Sequence, residues 1–557
     1  LEGYRLACIM EKILFIIPMS TSFEDFVNPP EYSGTIKKEN GLFGNVLTEM
    51  PLGSLAMSSY IKKHIEIETK LVDFNTILNK IKRFEHASFE DLFKEILSSD
   101  EVKEFNPTII GVSALFSPAY LHLINISKIC KELFPNSYIL AGGGVPTNLY
   151  KEIYNDGGEF DALCYGEGEI PLLNFVLAED KLKYVDGDSS WVTKEKIERG
   201  EKEFTKVIIE DLNEIPMYDY SLCTVDDYSI NPTISAYVDE KDVNKSFAVM
   251  TSRGCPFKCC FCASHSVHGR TMRYYDIERV RQDFTTLKEH FNAKTLIFQD
   301  DHFLQEPSRA IEVLDIVKDL GFTVIFQNGL AIHKLKRPIL EALYDAGIRQ
   351  VVLPVESGSQ RVLTDIMHKP LKLSMVPEVI KDCKELGIYV DVNILIGLPG
   401  EKKEDIEDSF SFLKTLDANW FSIMVATPLV GSEMMDICME KNYLKTSYLE
   451  AHYKNAVIET EDFDSQYILD NRYILNLSLN FRYNPDMRLG NYETALSGFE
   501  NTIRARPDHA IAYYYASICS DKLGNKEKAD SYRKEVKKII KENIIWAKYL
   551  KMFDITI

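Results

Sequence analysis

The chain of 557 residues is several times the usual domain length of roughly 100–200 residues, so three or four domains are expected. Its 45% hydrophobic and 27% charged content is that of soluble globular protein, and 64 basic against 84 acidic residues give a net charge of −20, which argues against a nucleic-acid substrate. The longest early apolar stretch, 13–19, falls far short of the roughly 18–20 residues of a membrane span, and neither a secretory signal nor a lipoprotein signal before Cys8 is legible; a cytoplasmic protein with no membrane span is expected.

After an N-terminal extension (1–11), short β-branched runs at 12–18, 70–74, 108–116, 138–145 and 162–165 alternate with helical spacing at 52–63, 89–97 and 119–133. Five strands alternating with helices predict a doubly wound, flavodoxin-like parallel sheet over 12–185. Such sheets bind ligands beyond the carboxyl ends of their strands. An irregular polar stretch, 186–245, reads as a connector. A second alternating array follows over 246–433, with strands at 247–251, 295–298, 323–327, 350–355, 389–396 and 421–426. Asp276 is the expected N-cap of its first helix, with Ile277, Val280, Phe284, Leu287 and Phe291 on one face. Six βα units predict a partial (βα)6 barrel, open where the eightfold barrel is closed. Over 434–557 the pattern turns helical. There Gly490-Asn491-Tyr492-Glu493 and Ala495 recur as Gly524-Asn525-Lys526-Glu527 and Ala529, the 34-residue period of a tetratricopeptide repeat, with Pro507 at the turn. A partner- or peptide-docking surface and a structural cap are both consistent with so short an array.

Four of the eleven cysteines, Cys255, Cys259, Cys260 and Cys262, fall within eight residues at the end of the first strand of the second array. A secreted disulfide framework would be small and evenly stapled, so this crowding reads as a metal site. Three thiolates spaced C-x-x-x-C-x-x-C ligate three irons of a [4Fe–4S] cluster and leave the fourth open to substrate. Zinc is the competing reading, with His265 or His268 as a poorly spaced fourth ligand.

The triad Cys255, Cys259 and Cys262, with Phe261 before the last cysteine, resembles the radical S-adenosylmethionine superfamily. The resemblance implies a [4Fe–4S] cluster whose open iron holds the amino and carboxylate groups of S-adenosylmethionine. It extends to Phe298-Gln299-Asp300-Asp301-His302-Phe303, to Asn328-Gly329, to the segment from Val355 to Leu363 and to Ile396-Gly397-Leu398-Pro399-Gly400-Glu401. It thereby implies S-adenosylmethionine contacts at Phe261, Asp300, Asp301, Asn328, Glu356, Ser357, Arg361, Ile396 and Leu398, and makes Cys260 a neighbouring thiol.

The first array resembles the cobalamin-binding module that precedes the radical core in one class of this superfamily. The matching segments are Pro51-Leu52-Gly53, Gly111 to Leu115, Ala141 to Gly144 and Asp161 to Glu169. Cobalamin contacts are implied at Leu52, Gly53, Asn75, Ser113, Leu115, Gly142, Gly143, Gly144, Gly166, Glu167 and Gly168. A flavodoxin-like domain without cofactor is the bland alternative. The histidine motif D-x-H-x-x-G that replaces the lower cobalt ligand is missing. Asn75 stands where the histidine would be, so cobalamin without histidine ligation is implied, its lower face near Asn75.

Together these resemblances imply a radical methyltransferase acting on an unactivated carbon through a 5′-deoxyadenosyl radical and methylcobalamin. Non-methylating rearrangement, cyclisation or carbon–carbon bond formation is the alternative, and a non-catalytic iron–sulfur interaction protein a more distant one. The implied partners are a small-molecule or peptide substrate, an electron donor such as flavodoxin or ferredoxin, and a protein or peptide at the C-terminal repeat.

Overall fold

The computed structural model describes residues 11–29, 35–228, 245–448 and 455–557. Cys8, nearly all of the expected N-terminal extension and the end of the expected connector lie outside them.

Strands β1 (Lys12–Ile17), β2 (Glu68–Asp73), β3 (Ile109–Ser113), β4 (Tyr138–Gly142) and β5 (Ala162–Cys164) form a parallel sheet in the order β2-β1-β3-β4-β5. This is the flavodoxin-like order, whose topological switch point lies between β1 and β3. Alternation sorts the side chains into two cores. Ile13, Phe15, Ile109 and Leu140 pack with helix α1 (Leu52–His64), whereas Leu14, Ile16, Ile110, Val112 and Ile139 pack with α2 (Phe89–Leu97) and α3 (Tyr120–Leu133). Being buried on both faces is what makes these strands read as continuous apolar runs.

Two sequence readings are corrected here. The run read as one strand over 138–145 ends at Gly142, because Gly143 (φ 99°) turns the chain into a short helix, Gly144–Asn148. The expected connector starts too early: β6 (Trp191–Val192) joins the sheet antiparallel to β5, and Lys194–Glu198 is helical. The rest of the described connector is packed rather than loose. Leu212 and Ile215 are fully buried, and Asn213 Oδ1 accepts the Asp276 amide N–H (2.9 Å). Asp276 is the N-cap as expected, with no side-chain bond of its own.

The second array consists of β7 (Ser246–Val249), β8 (Thr295–Phe298), β9 (Thr323–Phe326), β10 (Gln350–Glu356), β11 (Tyr389–Ile396) and β12 (Trp420–Val425). They hydrogen-bond as two parallel triplets, β9-β8-β7 and β10-β11-β12, which gives the open barrel. In the second triplet every other residue (Val351, Leu353, Val390, Val392, Phe421) is buried under the outer helices. The intervening ones are half-buried and face the lumen. Both outer strands of the array are sealed: the Tyr220 hydroxyl donates to Ala248 O of β7 (2.6 Å), and C-terminal helices cover β12. The apolar cluster beneath α1 is continuous with that of the barrel.

Candidate functional site

The cysteines sit on a loop between Ser252-Arg253 and Arg273-Tyr274, two short segments paired antiparallel. Gly254 enters this loop at φ 91° with its α-carbon against Thr271 O, where a side chain has no room. Cys255, Cys259 and Cys262 are half-buried, and none of the chain's described cysteines is in a disulfide. Burial pushes the Cys255 thiol up to about 11 and raises Cys259 too; the neighbouring thiols add to both, and Lys369 partly offsets the effect at Cys259. Ligation by iron therefore displaces protons from these thiols. Cys260 is oriented differently. Its side chain is buried, its N–H donates to Met367 O (3.0 Å), and its carbonyl accepts from Met434 N (2.8 Å). It belongs to the packing between the loop and the next element.

The three thiols lie in one another's electrostatic field. Three cysteine thiols on one loop are the donor set of a cubane cluster, one thiol to each of three irons.

The β8 end anchors the loop rather than leaving its carboxylates free. Asp300 accepts from Thr251 N (3.1 Å), Thr251 Oγ1 (2.7 Å) and Ser252 Oγ (2.6 Å). Asp301 accepts from Gly254 N and from His268 Nδ1, both at 3.0 Å. Asn328 donates to the carbonyls of Gln299 and Asp300. At the end of β10, Glu356 adopts φ 68°, just past a bulge, with Lys369 Nζ 3.7 Å from its carboxylate. Lys369 also lies over the Phe261 ring (5.8 Å), which brings Phe261, Glu356 and Cys259 to one place. Ser357 and Arg361 do not join them. Ser357 Oγ pairs with Ser409 Oγ (3.1 Å), and Arg361 pairs with Asp405 and Gly400 O. Ile396 and Leu398 are buried beneath the β11 turn, where the Leu398 and Gly397 amides donate to Glu401 Oε2.

The N-terminal strand ends form a second candidate site. At the switch point, Leu115 (58% exposed) and Phe116 (48%) stand open beyond β3, and a side chain at Gly53 would meet nothing. Large apolar side chains left bare at a switch point fit a bulky ligand that covers them. Ser113, two residues before Leu115, ends β3 half-buried, and Leu52 is buried at the start of α1. The other strand-end glycines answer to the protein itself: added side chains would meet Ala114 O at Gly143, Leu115 O at Gly144, Cys164 at Gly142, Lys206 at Gly166 and Met57 at Gly168.

Two of the expected contact residues spend their polar atoms within the protein. The buried Asn75 amide is fully used: its oxygen accepts from Ser20 N and Oγ, and its nitrogen donates to Pro18 O and Asp73 Oδ1. Glu167, also buried, is bound by Arg273 instead (2.6 and 2.9 Å). Residues overlooked in the sequence are Arg273 itself, then Arg253 and Glu169, which extend that pair, together with Lys369 and Glu49. The Glu49 carboxylate accepts from the exposed Gln327 at the end of β9, and Gln327 in turn accepts from Gln299 (3.1 Å). Charges within otherwise apolar strand-end motifs were the available signal. The two sites adjoin, since Asn148 donates to Ser266 Oγ (3.1 Å) and Lys206 to His265 O (3.3 Å), just past the cysteine loop.

A loop of cysteines at the carboxyl end of an open βα barrel, beside a flavodoxin-like sheet, defines the class of protein: α/β, with candidate sites at two sets of strand ends. Residues 249–413 match the family model of the radical SAM superfamily. The chain is 27% identical over 420 residues to an uncharacterized methyltransferase of Pyrococcus horikoshii, covering 75% of this chain and 84% of the relative. It is 25% identical over 395 residues to the cytidylyl-2-hydroxyethylphosphonate methyltransferase of Streptomyces wedmorensis (65% and 73%). Among solved structures it is similar in fold to the cobalamin-dependent S-adenosylmethionine radical enzyme OxsB with aqua-cobalamin bound, at TM-score 0.61 and 16% identity, covering 98% of this chain and 82% of that one. No helix among the described residues is long and apolar enough to cross a membrane.

Proposed function

We propose that this chain is a cobalamin-dependent radical S-adenosylmethionine methyltransferase that acts on an unactivated carbon of a small-molecule or peptide substrate. One juxtaposition carries the reading: three thiols at the end of β7 adjoin a flavodoxin-like switch point that leaves Leu115 and Phe116 bare. The methyltransferase names of the Pyrococcus and Streptomyces relatives support methyl transfer as the reaction class. When bound, the [4Fe–4S] cluster supplies the electron that cleaves S-adenosylmethionine, and cobalamin supplies the methyl group.

The chain itself binds and orients. Cys255, Cys259 and Cys262 hold the cluster, while Asp300 and Asp301 fix the stem of their loop. Glu356 and Lys369 put opposite charges beside Cys259, suited to the amino and carboxylate groups of S-adenosylmethionine. Leu115, Phe116 and Gly53 form the apolar seat for cobalamin. Glu49 with Gln327 and Gln299 makes a polar wall where the two domains meet, placed to hold a hydrogen-bonding group of the substrate near both cofactors. A flavodoxin or ferredoxin of the cytoplasm would deliver the electron, and the C-terminal repeat would serve protein or peptide contact.

The test is anaerobic reconstitution with iron, sulfide and cobalamin, followed by comparison of products with extracts of a host lacking the gene. A methylated product is expected together with both 5′-deoxyadenosine and S-adenosylhomocysteine. 5′-Deoxyadenosine without S-adenosylhomocysteine would point to cyclisation or rearrangement. Full activity after Cys255→Ala, Cys259→Ala and Cys262→Ala, each tested alone, would overturn the assignment.

A further inference from the structure

The stem of the cysteine loop is held from outside its own domain. Glu167 takes both terminal guanidinium nitrogens of Arg273 and lies 3.5 Å from Arg253, and Glu169 binds Arg253 at 2.8 Å. All four side chains are at most 4% exposed. Arg253 immediately precedes Gly254 and Cys255, and Arg273 is its antiparallel partner where the loop returns. Arg273 also donates to His268 O and Ile209 O, tying in the loop's end and the connector. Every thiol of the triad is thus carried between two arginines neutralised by carboxylates of the N-terminal domain. Although burial pushes the Glu167 carboxyl up, Arg273 and Arg253 hold it below the ordinary carboxylate range. Well-packed apolar residues would cover the same interface at no desolvation cost. A fork-shaped guanidinium pair adds fixed geometry.

We propose that Glu167 and Glu169 are positioning residues: through Arg253 and Arg273 they set the cysteine loop, and the cluster on it, at one separation and orientation from the ligand at the N-terminal strand ends. This rests on the cobalamin reading of that site. Without the clamp the cluster still assembles on its three cysteines, but its placement relative to the cobalt is no longer single.

The test uses the full chain reconstituted with iron, sulfide and hydroxocobalamin, then reduced so that both the cluster and cob(II)alamin are paramagnetic. Pulsed electron paramagnetic resonance reads the spin–spin coupling between them in the wild type, in Glu167→Gln and in Arg273→Lys, which keeps the charge but loses the fork. A single narrow coupling is expected for the wild type. Either variant, with iron and cobalt content retained, is expected to show a distribution at least twofold broader. An unchanged coupling overturns the proposal, and so does loss of iron from folded variants, since the clamp would then serve to form the loop. Should Glu167→Gln not fold, Arg273→Lys decides. Wild-type chain that takes up no cobalamin refutes the cobalamin reading instead. Amide hydrogen exchange over 252–275 in the cofactor-free chain then decides the clamp: exchange at least tenfold faster in the variants sustains it, and equal protection overturns it.

Discussion

Glu356 occupies a backbone conformation that costs a non-glycine residue on the order of 1 kcal/mol or more, and its carboxylate, raised by burial, is offset only by Lys369. The strained backbone sets the side chain against Lys369 and beside Cys259. Glu356→Gly is therefore expected to raise unfolding stability by about 1 kcal/mol while cutting 5′-deoxyadenosine formation at least tenfold. Chemical denaturation and a single-turnover assay check the two halves. Glu401 presents the opposite case. It is fully buried, burial pushes its carboxyl up to about 8, and two backbone amides partly offset this at Oε2. Its folded value lies above the unfolded one of about 4.3, so its favourable contribution is complete in acid and is lost as pH rises toward 8. Glu401→Gln keeps an acceptor for both amides and abolishes the titration. The stability of variant over wild type should therefore grow between pH 5 and 9, by up to a few kcal/mol; a pH-independent difference would disprove the buried-acid reading.

The elements themselves were largely legible, because the strands of the first sheet are apolar runs buried on both faces and those of β10 to β12 alternate with a period of two. β8 and β11 match the expected bounds, and the helix Phe89–Leu97 does too. What escaped has physical reasons. A strand of two residues such as β6 shows no period, and the strand read through Gly143 ends on a conformation set by the close approach of Ala114 O. Partners of polar side chains were not legible at all: Asn75 bonds a carbonyl 57 positions away, and Glu167 an arginine 106 away. The C-terminal repeat resolves in a similar way. Its antiparallel helices, Tyr492–Ala505, Ala510–Lys522 and Lys526–Glu542, are preceded by Ser465–Leu477, which lies along β12. The buried Asn480 accepts from Phe421 N and donates to Phe421 O (2.8 Å each), and Arg472 donates to Ile423 O, so the helical region completes the hydrogen bonding of the barrel's last strand. The structural-cap role is built in, whatever else the repeat binds. Asn480→Ala leaves one donor and one acceptor of β12 buried and unpaired, for an expected loss of about 2–4 kcal/mol in urea unfolding. Substitution of the exposed Leu523 should change stability by less than about 0.5 kcal/mol.

At the scale of the molecule, an apolar cluster running from beneath α1 into the barrel joins the two α/β units, and the four-charge clamp lies between them. A shared core makes them cooperative, so a single calorimetric transition should cover both at pH 7. Its pH dependence isolates the clamp. Glu167 is desolvated, which alone would raise its carboxyl, but the hydrogen bonds from Arg273 and the nearby charges of Arg253 and His268 hold it below the ordinary range. Asp301 is likewise lowered against burial, by His268, the Gly254 amide and Arg253. A depressed carboxyl adds stability above its unfolded value of about 4 and loses it as pH falls through the lower folded value. The wild-type transition should therefore weaken steeply below about pH 4. In Glu167→Gln the buried Arg273 loses its carboxylate and Arg253 keeps only Glu169, and the cost expected at pH 7 is about 3–5 kcal/mol. That gap should narrow as acid protonates Glu167 in the wild type, because protonation and substitution remove the same negative charge. A gap that stays constant from pH 7 to pH 3 would show that Glu167 contributes by shape alone and that the domains are not joined through its charge.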